Sequence, residues 1–294
     1  MALGRVGIWT HHLDTQPVRR SLELAAELEA LGYGAIWLPE AMGRDPMVHA
    51  TLLLDGTERI VLATGIASIW NRTPLAMAAA HRTLTSAFAD RFLLGLGVSH
   101  GPMVEGMLGE RYERPLAKMR SYLDAMDAAP YMASSPQVQP QRLLAALGPK
   151  MLRLAAERAS GAHPYFVPAE HTAVAREALG RGPLLCVEQA VLLETDARAA
   201  RATAREHMAI YLTLPNYTNN LRRLGFGDDD LDGGGSDRLV DAIVAWGDLD
   251  AVVGRVRAHH DAGADHVCLQ VLGTGMGEPP VAQWQTLAPA LGLT

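Results

Sequence analysis

Apolar residues along this chain fall into short continuous blocks, and between the blocks they return at every third or fourth position. The first block is Arg5 to Thr10 (RVGIWT), and Leu22, Ala25, Ala26 and Leu28 then recur at helical spacing within Val18 to Leu31. Gly32 suits the end of that helix. The alternation continues with strand Ala35 to Glu40 and helix Pro46 to Gly56, then strand Ile60 to Ser68 and helix Pro74 to Phe88. Strand Phe92 to Val98 precedes a helix over Arg114 to Ala128, and strand Arg142 to Leu147 precedes one that starts at Pro149. Strand Ala162 to Val167 leads into a helix from Pro168 to Gly180. Strand Leu184 to Glu194 is followed by two or three helices over 196–262, and strand His266 to Leu272 by a last helix over 281–290.

Several of these strands are apolar throughout, the pattern of a parallel sheet covered on both faces. Eight strand–helix units predict an α/β fold, a (β/α)8 TIM barrel, with its active site where the strands end. A doubly wound open sheet is the competing fold, and it rarely takes eight such units so regularly. Residues 212–236, rich in Asn, Asp and Gly, read as an insertion loop before strand eight, over the barrel mouth: a lid, a subunit contact or inert decoration. Residues 129–140 read as a Pro-rich surface connection. No linker or low-complexity tail interrupts the pattern, so residues 1–294 read as one barrel domain.

With 49% hydrophobic and 20% charged residues the composition is that of an ordinary globular protein. A formal net charge of −6 argues against nucleic acid as a partner. No apolar run reaches the length of a membrane span, so no membrane partner is expected, and the N-terminal MALGRVGIWT reads as a strand rather than a signal peptide. Cys186 and Cys268, each inside an apolar run, read as reduced, buried thiols of a cytoplasmic protein. No metal site is expected: His11-His12 and His259-His260 lack an acidic partner at ligand spacing, and there is no cysteine cluster. A G-x-S-x-G nucleophile motif is also absent.

The richest chemistry lies at 142–166, RLLAALGPKMLRLAAERASGAHPYF. Gly148 lets the backbone approach a ligand, and Pro149 suits a first helical position. The helix start that results, Gly148 to Met151, has a positive dipole end with Lys150 beside it, which attracts phosphate. An ordinary strand–helix turn is the plainer reading. His11 and His12 follow strand one, where a histidine is placed for acid–base work; strand alternation admits one of them to the pocket, and His11 is favoured. Arg72, Arg44 and Arg114 are candidates for an anionic group. His163, Tyr165, Glu188 and Gln189 interrupt apolar strands and are expected to face the barrel interior, more as a satisfied network than as catalysts. Gly95-Leu96-Gly97 hints at a dinucleotide fingerprint, but its spacing to Gly101 is wrong.

RVGIWT, LEALGYGAIWLPEAMGRDP (28–46), VLATGIASIWNRTPLAMA (61–78), RFLLGLGVSHGPM (91–103), LGPKMLRLAAERASGAHPYF (147–166) and DAGADHVCLQVL (261–272) occur in this order. Together they make the chain resemble the luciferase-like flavin- and deazaflavin-dependent oxidoreductases, and within them the actinobacterial branch that uses coenzyme F420. The resemblance implies a (β/α)8 barrel with a tricyclic ring at the C-terminal ends of its strands. It puts the phosphate tail near Gly148, Pro149, Lys150 and Met151 and the end of strand six at Val167. It implies a non-prolyl cis bond at Gly65–Ile66, between Thr64 and Ala67, behind the ring. Glu40 would bond the ring or substrate or pass a proton, and Asn71 would bond ring carbonyls. Where several deazaflavin enzymes carry an acidic residue followed by Asn, this chain has His100 and Met103, so His100 becomes the candidate proton donor. The implied activity is hydride transfer between F420 and a small organic substrate, with His11, Glu40 or His100 handling the proton. An FMN-dependent monooxygenase fed by a separate reductase is the first alternative, and a ligand-binding barrel without turnover the second. The family commonly forms dimers, so a homodimer is expected.

Overall fold

The computed structural model describes residues 3–293. Its strands are β1 (Val6–Trp9), β2 (Ala35–Leu38), β3 (Val61–Thr64), β4 (Ala67–Ser68), β5 (Phe92–Gly97), β6 (Gln141–Leu144), β7 (Gly161–Ala162), β8 (Leu184–Leu192), β9 (Val244–Trp246) and β10 (His266–Val271). All pair in parallel, and the order β1-β2-β3-β5-β6-β7-β8-β10 returns to β1, closing an eight-position barrel. Helices surround it, as a (β/α)8 barrel requires.

The helix starts follow from their caps. Asp45 accepts from the Met47 and Val48 amides ahead of Pro46, and Thr73 accepts from Ala76 ahead of Pro74. Asp196, Ser236 and Asp248 cap three helices further along.

Alternation along the strands divides the core. Trp9, Ala35, Trp37, Val61, Ala63, Leu93, Leu143, Cys186 and Cys268 fill the barrel interior, large indoles against alanines. The opposite faces pack on the helices. Glu188 therefore points inward, and Gln189, one residue on, points outward, contrary to the expectation that both face the interior. Gln189 closes a satisfied layer: Thr172 Oγ1 donates to His259 Nδ1 (2.8 Å), His259 Nε2 to Gln189 Oε1 (2.8 Å), and Gln189 Nε2 to the Ile243 carbonyl (2.8 Å).

Four elements differ from the sequence reading. The third strand breaks into β3 and β4 at a cis Gly65–Ile66 bond, the bond the family resemblance implied. The sixth strand shrinks to two residues because Pro164 has no amide for the ladder and Phe166 turns to a left-handed φ of 58°. The three-residue β9 continues directly from the helix Asp237–Ile243 and extends the β8 edge beyond β7. The stretch 212–236, read as a loop, is largely helical, with Pro215–Arg223 and Asp228–Leu231 ahead of the left-handed glycines 233, 234 and 235. Its helices pack with Ala197–Leu212 and Asp237–Ile243 around a second apolar cluster that includes Phe166, Met208, Tyr217 and Leu221.

Candidate active site

The C-terminal ends of the strands open into a cavity of about 410 Å³, within the range that holds small-molecule ligands. Each segment reaches it by leaving its strand. Trp9 comes from β1, Glu40 from the segment after β2, Gly65, Ile66 and Ser68 from the broken strand, and His100 from beyond β5. Gly148 and Met151 come from the turn after β6, and His163 and Tyr165 from the segment after β7. The inserted helices roof it with Tyr211, Asn216, Tyr217, Asn219 and Arg223.

Of the residues expected from sequence, Glu40, Gly65, Ile66, His100, Gly148 and Met151 are brought together on this wall. Thr64, Ala67, Asn71, Pro149, Lys150, Val167 and His11 do not line it. Thr64 is fully buried and spends its hydroxyl on β5: it donates to the Gly95 carbonyl (2.7 Å) and accepts from the Gly95 amide (2.8 Å). Ala67 and Val167 are buried in the sheet–helix layer. Asn71, Pro149 and Lys150 are exposed. His11 misses the cavity because alternation ends at Thr10, where the chain enters the helical turn His12–Thr15. His11 instead packs its ring on His12, with centroids 4.3 Å apart. Trp9 is the residue β1 contributes, its indole donating to the Gly65 carbonyl (2.8 Å).

Glu40 is held on both oxygens. Arg72 donates to Oε1 (2.5 Å) and the Ser68 amide to Oε2 (2.7 Å), so the carboxylate ties the segment after β2 to β4. Arg72 also pairs with Asp45, the cap of helix Pro46–Asp55, and two carboxylates therefore neutralise it. Arg44 is committed to the carbonyls of Leu13 and Gln16 and to the Ser21 hydroxyl. Neither arginine is free to meet an anion.

Arg223 is the cation left for that task. Its guanidinium would stand 3.6 Å from a Cβ placed on Gly148, at the N-terminus of helix Pro149–Arg158. Among the described residues it pairs with no carboxylate, only with Asn220 Oδ1 at 3.4 Å. A guanidinium beside a positive helix end at the cavity rim fits a phosphate. Sequence reasoning named the turn but gave the charge to Lys150. Arg223 sits in a stretch read as loop, and its role was legible only once that stretch was seen to be a helix folded over the rim.

Two histidines have defined tautomers. His163 Nδ1 donates to the Cys186 carbonyl (2.9 Å), and burial lowers its pKa to about 4, so the ring is neutral with Nε2 a bare acceptor. His100 Nδ1 donates to Asn216 Oδ1 (3.0 Å), and burial lowers its pKa as well. Its Nε2 is thereby an acceptor, fixed from the roof by the inserted helix. Glu188 lies among Tyr165, Tyr211 and Tyr217; burial raises its pKa to about 8, with one oxygen accepting from the Phe166 amide (3.1 Å) and the other without a partner among the described residues.

A closed parallel barrel with such a cavity at the carboxyl ends of its strands defines a class of barrel enzymes. The chain belongs to the luciferase-like monooxygenase family, whose model matches residues 1–266, and is an oxidoreductase of that family. It is 27% identical to a Mycobacterium tuberculosis protein named as a coenzyme F420-dependent oxidoreductase, across 93% of this chain and 96% of the relative. Its fold matches coenzyme F420-dependent tetrahydromethanopterin reductase from Methanopyrus kandleri with a TM-score of 0.76, at 19% identity over 98% of each chain. It also matches the oxygenating constituent of 3,6-diketocamphane monooxygenase of Pseudomonas putida, in complex with FMN, with a TM-score of 0.72, at 17% identity over 97% of this chain and 95% of the other.

Proposed function

We propose that this single-domain barrel is an F420-dependent oxidoreductase that moves a hydride between the deazaflavin and a small organic substrate. The observation that carries it is the Arg223 guanidinium at Gly148, without a carboxylate partner among the described residues, beside the N-terminus of helix Pro149–Arg158 and on the rim of an aromatic-walled cavity. When bound, the deazaflavin gives or takes the hydride. The residues present fit such a group. Gly148 and Arg223 would hold its anionic arm, and Gly65, Ile66 and Ser68, with Trp9 and His163 packed against Gly65, would back the ring. The Glu40–Arg72–Ser68 tie keeps that wall in place. His100 Nε2 is the acceptor placed to hold or take a proton, and the inserted helices cover one side of the cavity. His11, off the cavity wall and packed on His12, has no direct place at the ring in this reading.

The partners this reading implies are a small-molecule substrate and a second copy of the chain. The exposed Val48, Leu52 and Leu75 on two adjacent helices offer an apolar face for a homodimer. The buried thiols Cys186 and Cys268 suit a reducing, cytoplasmic setting, and the mycobacterial relative supports an actinobacterial one. No helix among the described residues is long and apolar enough to cross a membrane.

Titration of the purified protein with F420 and, separately, with FMN tests the reading. F420 is expected to bind in the micromolar range or tighter and FMN more weakly. Tight FMN binding with oxygen uptake, and no F420 binding at tens of micromolar, would replace it with a flavin monooxygenase.

A further inference from the structure

Two tyrosines on the cavity wall form a hydrogen-bond chain whose direction is set by the Gln270 amide oxygen. Tyr165 Oη lies 2.8 Å from Gln270 Oε1 and 2.7 Å from Tyr211 Oη. Gln270 Oε1 only accepts, so the single proton of Tyr165 is committed to it. Tyr211 must then be the donor to Tyr165, and its oxygen keeps lone pairs but no proton for a third partner. The chain is anchored in the barrel: Gln270 is on β10 and only 5% exposed. Tyr211 ends the helix Ala197–Leu212, its ring against Phe166 (4.8 Å), His207 (5.2 Å) and Tyr217 (5.4 Å). Burial raises both phenols above their ordinary range, so the chain stays protonated and keeps its direction at neutral pH.

The rest of the wall narrows what could meet Tyr211. Glu40 has both oxygens engaged by Arg72 and the Ser68 amide, and Arg223 is held for the anionic arm in the reading above, on which this inference rests. Trp9, Tyr165 and Tyr217 add apolar ring surface. We propose that Tyr211 Oη is the acceptor that selects a neutral, hydroxyl-bearing substrate, an alcohol or a phenol, over ketone or ether analogues whose oxygens can only accept.

The test measures binding, by calorimetry on the full chain, of matched pairs: cyclohexanol with cyclohexanone, and 4-methylphenol with 4-methylanisole. The hydroxyl member of each pair is expected to bind about tenfold more tightly, the worth of one hydrogen bond in a dry site. Tyr211→Phe should bring that ratio close to one. Tyr165→Phe should release the Tyr211 proton, strengthen binding of cyclohexanone and shrink or reverse the preference, which a merely structural role for Tyr165 would not do. Equal binding of both members by the unaltered protein, no binding of either at millimolar ligand, or an unchanged preference in Tyr211→Phe would overturn the proposal. F420 affinity measured on the same samples separates the two readings: its absence with the hydroxyl preference intact would remove the cofactor assignment and leave this one standing.

Discussion

Gly95 shows how closely single positions constrain this barrel. Its amide and carbonyl are both bonded to the Thr64 hydroxyl, and a Cβ there would lie 2.0 Å from the Thr64 carbonyl oxygen. The obstacle is backbone in the barrel wall and cannot step aside. Gly95→Ala is expected to cost about 3 kcal/mol, lowering the thermal midpoint by roughly 5 °C. Gly254 is the control: it is exposed in the middle of helix Leu249–Asp261 with open space around it, so Gly254→Ala should add about 1 kcal/mol. Calorimetry on the two variants checks both signs. The same residues show what a sequence does and does not disclose at this scale. The G-x-G at 95–97 has the look of a nucleotide motif in the sequence, yet its glycines answer to Thr64 and to Ile66, whose Cδ1 would stand 2.3 Å from a Cβ on Gly97. Thr64 was read as touching a cofactor, and the partner its hydroxyl needs lies instead on the next strand. Polar residues in an apolar strand announce that they need partners. Which side holds the partner follows from register, and His11 was misplaced because a helical turn starts one residue earlier than alternation assumes.

Among the elements, the helix Pro215–Arg223 has the largest effect on the site. It brings Asn216 to His100, Tyr217 into the aromatic wall and Arg223 to Gly148, so one short helix of the insertion contacts three parts of the cavity. Arg223→Gln is expected to raise the F420 Kd about tenfold or more through loss of a charge-assisted contact. Lys150→Gln should change it less than about twofold, because Lys150 is exposed and off the cavity wall. Fluorescence titration of both variants measures the contrast, and an equal loss in the two would return the charge to Lys150. The eight strand–helix units were readable because burial on both faces writes continuous apolar runs and because caps such as Asp45 and Thr73 mark the helix starts. The insertion was read as loop from its Asn, Asp and Gly content. Yet Tyr217, Asn220 and Leu221 sit at helical spacing and bury one face, and the actual turn is confined to the glycines after Asp232. β7 and β9 are too short to carry a period of their own, and tertiary pairing with β8 decides them.

For the whole molecule, burial of titratable groups sets a pH optimum that can be argued in sign. His12, His81, His163, His207 and His266 are pushed down to about 4 and His259 to about 3, chiefly by desolvation, against an ordinary 6.5. Below pH 6.5 the unfolded chain takes up protons that the folded chain refuses, so stability falls as pH falls from about 6.5 towards 4. Glu188 acts in the opposite direction. Its carboxyl is raised from 4.5 to about 8, so the folded state holds the extra proton and stability falls as pH rises through that interval. Six histidines oppose one carboxyl, and at pH 6.5 the unfolded histidines are still half protonated, so the acid side dominates until about pH 7; above that the slope from Glu188 remains. The thermal midpoint should therefore peak at about pH 7 to 7.5, dropping steeply on the acid side and gently up to pH 8. Glu188→Gln keeps an acceptor for the Phe166 amide and cannot ionise, so it should flatten the decline up to pH 8 and make the acid limb slightly steeper. Scanning calorimetry of both proteins from pH 4.5 to 8.5 reads the two limbs separately. An unchanged alkaline decline in the variant would show that the carboxyl beneath the three tyrosines is not what senses the rise in pH.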